Sequence, residues 1–120
     1  MKNSGVYILC INLEKEKRIK IGSLGKFNFE KGMYFYVGRG KRNIQKRIKR
    51  HLRKKKKMRW HIDYFLKYGK IEFIILIDTE PEKECEIAKT LSKRFLPILK
   101  FGCSDCKCKS HLFLFKRREK

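Results

Sequence analysis

The sequence predicts an α+β fold: a small, mainly antiparallel sheet, with a three-stranded core and additional short strands, flanked by three helices. Three observations lead there. Apolar runs of strand length crowd the first forty residues, a helical apolar stripe follows, and one more apolar run stands between two helical patterns. A chain of 120 residues has room for one hydrophobic core, so a single domain over residues 1–120 is expected.

Residues 6–12 form the first strand, an apolar run with β-branched and aromatic members. Residues 18–21 alternate charge with isoleucine and residues 33–37 are aromatic, which makes two more strands. Residues 26–32, polar and ending in Gly32, read as the loop between them. From Arg42 the pattern changes to Ile44, Ile48 and Leu52, the i, i+4, i+8 stripe of an amphipathic helix. A short second helix is expected over residues 61–67, before the break at Gly69. Residues 71–77 are almost unbroken apolar and read as a central strand. Thr79 and Glu82 have the spacing of a capping box with Pro81 near the first turn, so a third helix should cover about residues 80–95, with Pro97 ending it. A cysteine-rich loop, residues 102–110, and a last short strand, residues 111–115, complete the chain.

The charge narrows the choice of function. The chain carries 33 Lys and Arg against 12 Asp and Glu, a formal charge of +21. Solubility needs far less, and such self-repulsion calls for a polyanionic partner. Residues 39–59 alone hold thirteen basic residues and no acid. Phosphate is their natural counterpart, and Arg39, Lys41, Arg42, Lys46, Arg50, Lys54, Lys55, Lys56, Lys57, Arg59 and His61 are the candidate nucleic-acid contacts. A membrane-surface helix would instead need these charges opposite a broad apolar face, and no apolar run reaches the length of a membrane span. With no secretory signal and an odd number of cysteines, five, the expected setting is soluble and cytoplasmic, with reduced thiols or a metal site rather than disulfides.

Two tripeptides, Gly5-Val6-Tyr7 in the first strand and Tyr36-Val37-Gly38 in the third, are followed by Arg47 in the first helix and by a glutamate in a later one. In that order they resemble the signature of the GIY-YIG nuclease superfamily. Trp60-His61-Ile62-Asp63-Tyr64 and Ser104-Asp105-Cys106-Lys107-Cys108 are similar to stretches of an uncharacterised, largely archaeal branch that can occur appended to a DNA-repair glycosylase. The resemblance implies a metal-dependent endonuclease acting on DNA, with a role in repair. Binding modules for DNA or RNA that share the fold without its chemistry are the alternative.

The residue chemistry suits a phosphodiesterase independently. A strand phenol such as Tyr7 can accept or relay a water proton if a nearby cation lowers its pKa, and Tyr36 can hold the same water or phosphate. Arg47 flanks the apolar stripe, where a guanidinium can grip two phosphate oxygens. His51, four residues on, is a candidate general base or leaving-group donor. At 100° per residue Glu84 falls within the stripe of Ile87, Ala88, Leu91 and Phe95, while Glu86 points away. An inward carboxylate needs a cation, and a hard divalent ion suits a phosphate site, so Glu84 is the expected ligand of one Mg²⁺ or Mn²⁺. A buried ion pair is its structural alternative. Cys103, Cys106, Cys108 and His111 offer zinc-type donors, and Cys85 can join Cys106, Cys108 and His111 in another set. Reduced thiols packing the loop is the expected reading and Zn²⁺ the alternative.

Overall fold

The computed structural model describes residues 3–102, 108 and 110–117. Its centre is a five-stranded antiparallel sheet made by β1 (Gly5–Leu13), β4 (Gly32–Gly40), β5 (Lys70–Ile77), β6 (Phe95–Pro97) and β7 (Leu112–Arg117), in the order β5-β1-β4-β7-β6. A separate hairpin joins β2 (Lys17–Ile21) to β3 (Gly25–Phe29). The helices are α1 (Ile44–Leu52), α2 (His61–Phe65) and α3 (Glu84–Ser92). No helix among the described residues is long and apolar enough to cross a membrane.

The period-2 alternation of β1 divides the interior into two layers. Tyr7, Leu9, Ile11 and Leu13 face one side with Tyr34, Ile44, Ile48, Ile62, Phe65 and the hairpin residues Ile19, Ile21 and Phe29. Val6, Ile8 and Cys10 face the other, with Val37, Phe113 and Ala88 of α3. A parity count along β1 therefore already separates the α1/α2 side from the α3 side. On the first side Phe29, Tyr34 and Phe65 meet edge to face with centroids 4.9–6.1 Å apart, a geometry that favours aromatic rings beyond the area they bury.

Several expectations change. The stretch read as a loop, residues 26–32, contains most of β3, because Phe27 and Phe29 alternate with polar residues and pack beside the core. The run read as a central strand is β5, an edge strand, and Phe73, Ile75 and Leu76 on it are exposed. Apolar content alone could not separate edge from centre, since both suit β-branched residues. The third helix is shorter than expected: residues Pro81–Lys83 form a 3₁₀ turn with Glu80 at its N-cap, α3 stops at Ser92, and Phe95–Pro97 pairs with β7. The Thr79–Glu82 capping box is not seen, since no side-chain hydrogen bond caps that turn. The buried stripe of α1 is Ile44, Ile48 and His51, whereas Leu52 is 54% exposed.

Candidate active site

The register of β1 on β4 sets Tyr7 opposite Gly38 and Leu9 opposite Tyr36. The two tripeptides are thus neighbours across one ladder, and the β2–β3 hairpin inserted between them in sequence leaves their pairing intact. Both phenols point to the α1 side. Gly38 has a direct steric reason: a Cβ there would collide with the Cζ and Oη atoms of the Tyr7 ring. The β4–β7 ladder spans Tyr34–Tyr36, and the Val37 amide then donates to the His111 carbonyl at 2.9 Å. Past that point β4 borders a cavity of about 290 Å³.

Tyr7, Tyr36, Arg47 and Glu84 all line this cavity, with Arg39, Arg59, Trp60, His61, Cys85 and His111. Glu84 opens α3 and its side chain is 14% exposed, against 69% for Glu86, in keeping with the helical-angle argument. Its carboxylate stands 3.8 Å from Arg39 Nε and 3.7 Å from His111 Nδ1. Arg47 donates from Nη1 to the Arg39 carbonyl at 2.8 Å and lies over the Trp60 ring, 5.3 Å from its centroid.

His51 is 2% exposed and sits behind Tyr7 instead of facing the cavity, with Nε2 2.6 Å from the Tyr7 hydroxyl. Burial, reinforced by the charges of Lys56, Arg50 and Arg47 against the opposing Asp63, lowers its pKa to about 4, so the ring is neutral at physiological pH. Burial also holds the Tyr7 phenol well above its ordinary pKa, Arg47 opposing and Glu84 reinforcing. Tyr36 is raised for the same first reason, with Tyr7 and Glu84 adding to it. A protonated phenol beside a neutral imidazole lets Tyr7 donate to Nε2, which requires the proton of His51 on Nδ1. That nitrogen is buried without a hydrogen-bond partner among the described residues.

The basic run divides into two groups. Lys41, Arg42, Lys46, Lys54, Lys55, Lys57 and Arg59 are exposed. Arg50 and Lys56 instead spend their N–H groups inside the molecule. Arg50 makes a two-pronged bond to Asp63, 2.9 Å on each oxygen, and also reaches the Lys57 carbonyl. Lys56 Nζ donates to the carbonyls of Arg50 and His51 at the end of α1. His61 accepts the Gly102 amide at Nδ1, and burial lowers its pKa.

Trp60 lines the cavity and Asp63, behind it, fixes the backbone that carries it, although in the sequence both stand out only as part of a similar stretch. Asp63 Oδ2 accepts the amides of Arg59 and Trp60, which caps α2. Burial opposes its ionisation, but the Arg50 bonds and the two amides outweigh that and hold its pKa below the ordinary value. Trp60 carries Arg50 at 4.5 Å from its centroid besides Arg47. The available signal was that Asp63 is the first acid after the acid-free basic run.

Among the described residues, Cys85, Cys108 and His111 form a candidate metal-binding cluster, their donor atoms all within 4.8 Å of one another. Their chemistry suits zinc better than magnesium. Cys85 thus joins donors of the C-terminal segment, as in the second of the two expected donor sets. Cys103 and Cys106, which completed the expected sets, lie outside the described residues. Cys10 is buried in the α3-side layer, where burial pushes its thiol up to about 11.

No curated protein and no solved structure matches this chain. The family model described as a domain of unknown function, DUF123, matches residues 6–120, nearly the whole chain, and the protein belongs to that family.

Proposed function

We propose that the protein is an endonuclease that hydrolyses phosphodiester bonds of DNA with the help of one Mg²⁺ or Mn²⁺ ion, and that it has the GIY-YIG architecture its tripeptides resemble. The observation that carries this reading is the convergence of Tyr7, Tyr36, Arg47 and Glu84 on one cavity flanked by Arg39 and Arg59. Their positions in sequence span four separate elements, and a purely structural role for each would not require a common, solvent-reached pocket.

The residues present fit a hard divalent ion. Glu84 offers a carboxylate at the cavity wall, and Mg²⁺ typically keeps several waters and takes one or two carboxylates plus substrate phosphate oxygens. When bound, the ion would neutralise charge on the phosphate and on the leaving oxygen. Arg47 and Arg39 would hold the non-bridging oxygens, with Arg47 braced by its bond to the β4 carbonyl and its stacking on Trp60. Tyr7 would take a proton from the attacking water while passing its own to His51 Nε2, 2.6 Å behind it. That relay lets a phenol of raised pKa act as a base without first standing ionised in the apolar interior. Tyr36 would orient the same water or phosphate by hydrogen bond. The exposed lysines and arginines around α1 would hold the flanking backbone without reading sequence.

Cleavage of plasmid, branched and single-stranded substrates in Mg²⁺ or Mn²⁺ tests the proposal. Glu84→Gln and Arg47→Ala should each lower the rate by roughly 10²–10³-fold while binding changes little. Tight binding by the wild type with no cleavage of any substrate overturns it. That result would favour a second reading, a nucleic-acid-binding module that delivers a repair glycosylase to DNA. The approach of Arg39 Nε to the Glu84 carboxylate, 3.8 Å, supports this alternative, because a guanidinium balances the carboxylate without an ion. Preference for RNA in the same binding assay would move the partner to an RNA-associated role.

A further inference from the structure

We propose a second metal site beside Glu84 that does not use its carboxylate, built from thiolate and imidazole donors, in which Cys85, Cys108 and His111 bind one zinc ion that clips the start of β7 to the first turn of α3. The proposal stands on the donor cluster itself and is independent of the nuclease reading.

Two cysteines and a histidine are the donor types zinc prefers, and their ligand atoms already lie within 4.8 Å of one another. A tetrahedral ion with ordinary Zn–S and Zn–N lengths sets sulfur atoms about 3.8 Å apart and sulfur and nitrogen about 3.6 Å apart. Donor shifts of about an ångström, within the reach of χ1 adjustments, therefore close the cluster around an ion. The Cys108 thiol also reaches the backbone of the first turn of α3, with Sγ 3.8 Å from the Cys85 carbonyl oxygen. His111 is 3% exposed with Nδ1 3.2 Å from the Val37 carbonyl. A histidine whose Nδ1–H donates to a backbone carbonyl presents Nε2 as the ligating nitrogen, the outer-shell arrangement common in metal sites.

Placement explains what such an ion would do. Cys85 belongs to α3, while Cys108 and His111 precede β7, so the ion would join segments 23 residues apart in sequence. The two thiolates would offset its charge. Cys85 directly follows Glu84, so the same clip would orient the opening of α3 at the cavity wall.

The test is metal analysis of the intact chain purified without a histidine tag, followed by Co²⁺ replacement. One zinc per chain is expected, with the thiolate charge-transfer and intense ligand-field absorption of a tetrahedral cobalt site. Cys85→Ser and Cys108→Ser should each lose the metal, whereas Glu84→Gln and Cys10→Ser keep it. Chelation should lower Tm by roughly 5 °C or more. Absence of both stoichiometric zinc and the cobalt–thiolate spectrum in the wild type overturns the site, as does full zinc retention in the Cys85→Ser/Cys108→Ser double variant. Iron in place of zinc overturns the ion assignment. If the serine variants fail to fold, the wild-type cobalt spectrum decides. Zinc retained in a Glu84→Gln protein that has lost cleavage separates this site from the proposed catalytic ion.

Discussion

Asp63 and Glu84 are both inward-facing carboxylates opposed by an arginine, and they are held in different ways. Asp63 is fully buried and collects four short bonds, two from Arg50 and two from backbone amides. Glu84 lines the cavity and meets Arg39 and His111 at 3.7–3.8 Å. The first arrangement leaves little capacity for a ligand and welds α1, the basic loop and α2 together. The second leaves a carboxylate on the wall of a cavity. Residue type and even the presence of an arginine do not distinguish a carboxylate sealed in the interior from one on a cavity wall, whereas the surface that each oxygen faces does.

The comparison is broken most directly by removing each acid. Asp63→Ala should cost about 3–5 kcal/mol in urea or thermal unfolding, because it strands the Arg50 guanidinium and two amides beside a cavity. Glu84→Gln should cost less than that, since the amide keeps the shape of the side chain and the site borders a cavity instead of the closed interior. Equal losses for the two would erase the distinction.

Acid titration sharpens it on the Asp63 side. Neutral His51 in the folded chain has a pKa of about 4, against an ordinary value near 6.5, so its contribution is complete above about pH 6.5 and is lost as pH falls towards 4. The depressed Asp63 carboxyl adds stability above its unfolded pKa that disappears at still lower pH, as the folded carboxyl protonates. Stability should therefore fall in two stages. The upper stage, on the order of 3 kcal/mol from His51, should shrink sharply in His51→Gln when chemical unfolding is followed between pH 7 and 4, leaving the part that comes from His61, whose pKa burial also lowers.

Gly38→Ala should cost about 1–3 kcal/mol by driving a methyl group into the Tyr7 ring, and should slow any cleavage more than binding, because it displaces the phenol. The smallest effects belong to the basic loop. Lys55→Ala should leave unfolding unchanged and reduce the slope of log K against log salt by nearly one unit if its ammonium neutralises one phosphate. Lys56→Met should act chiefly on stability, since its ammonium caps the end of α1. A reversal of these two outcomes would show that solution partners differ from those in the fold.

Alternation and helical angle were enough to place most elements and to choose Glu84 over Glu86, because they depend on local periodicity. His51 was visible as a chemical residue but not as a buried one, since the stripe Ile44, Ile48, Leu52 fits a helix equally well. Tertiary packing rotated α1 so that His51, not Leu52, lies against Tyr7. The role of Asp63 was illegible for a related reason: its bonds run to residues of α1 and to the backbone before α2, and no periodicity encodes them.

By itself, the sequence determined the strongly cationic character of the protein, its α+β composition, and the inward direction of the glutamate that opens α3. Only the tertiary structure decided that β5 is an edge, that Arg50 and Lys56 turn inward, and that Cys85 meets Cys108 and His111. The physical reason is range. Period and composition report which face of an element is apolar, but the partner that covers the face is chosen by the ladder register and the sheet order, which join residues tens of positions apart.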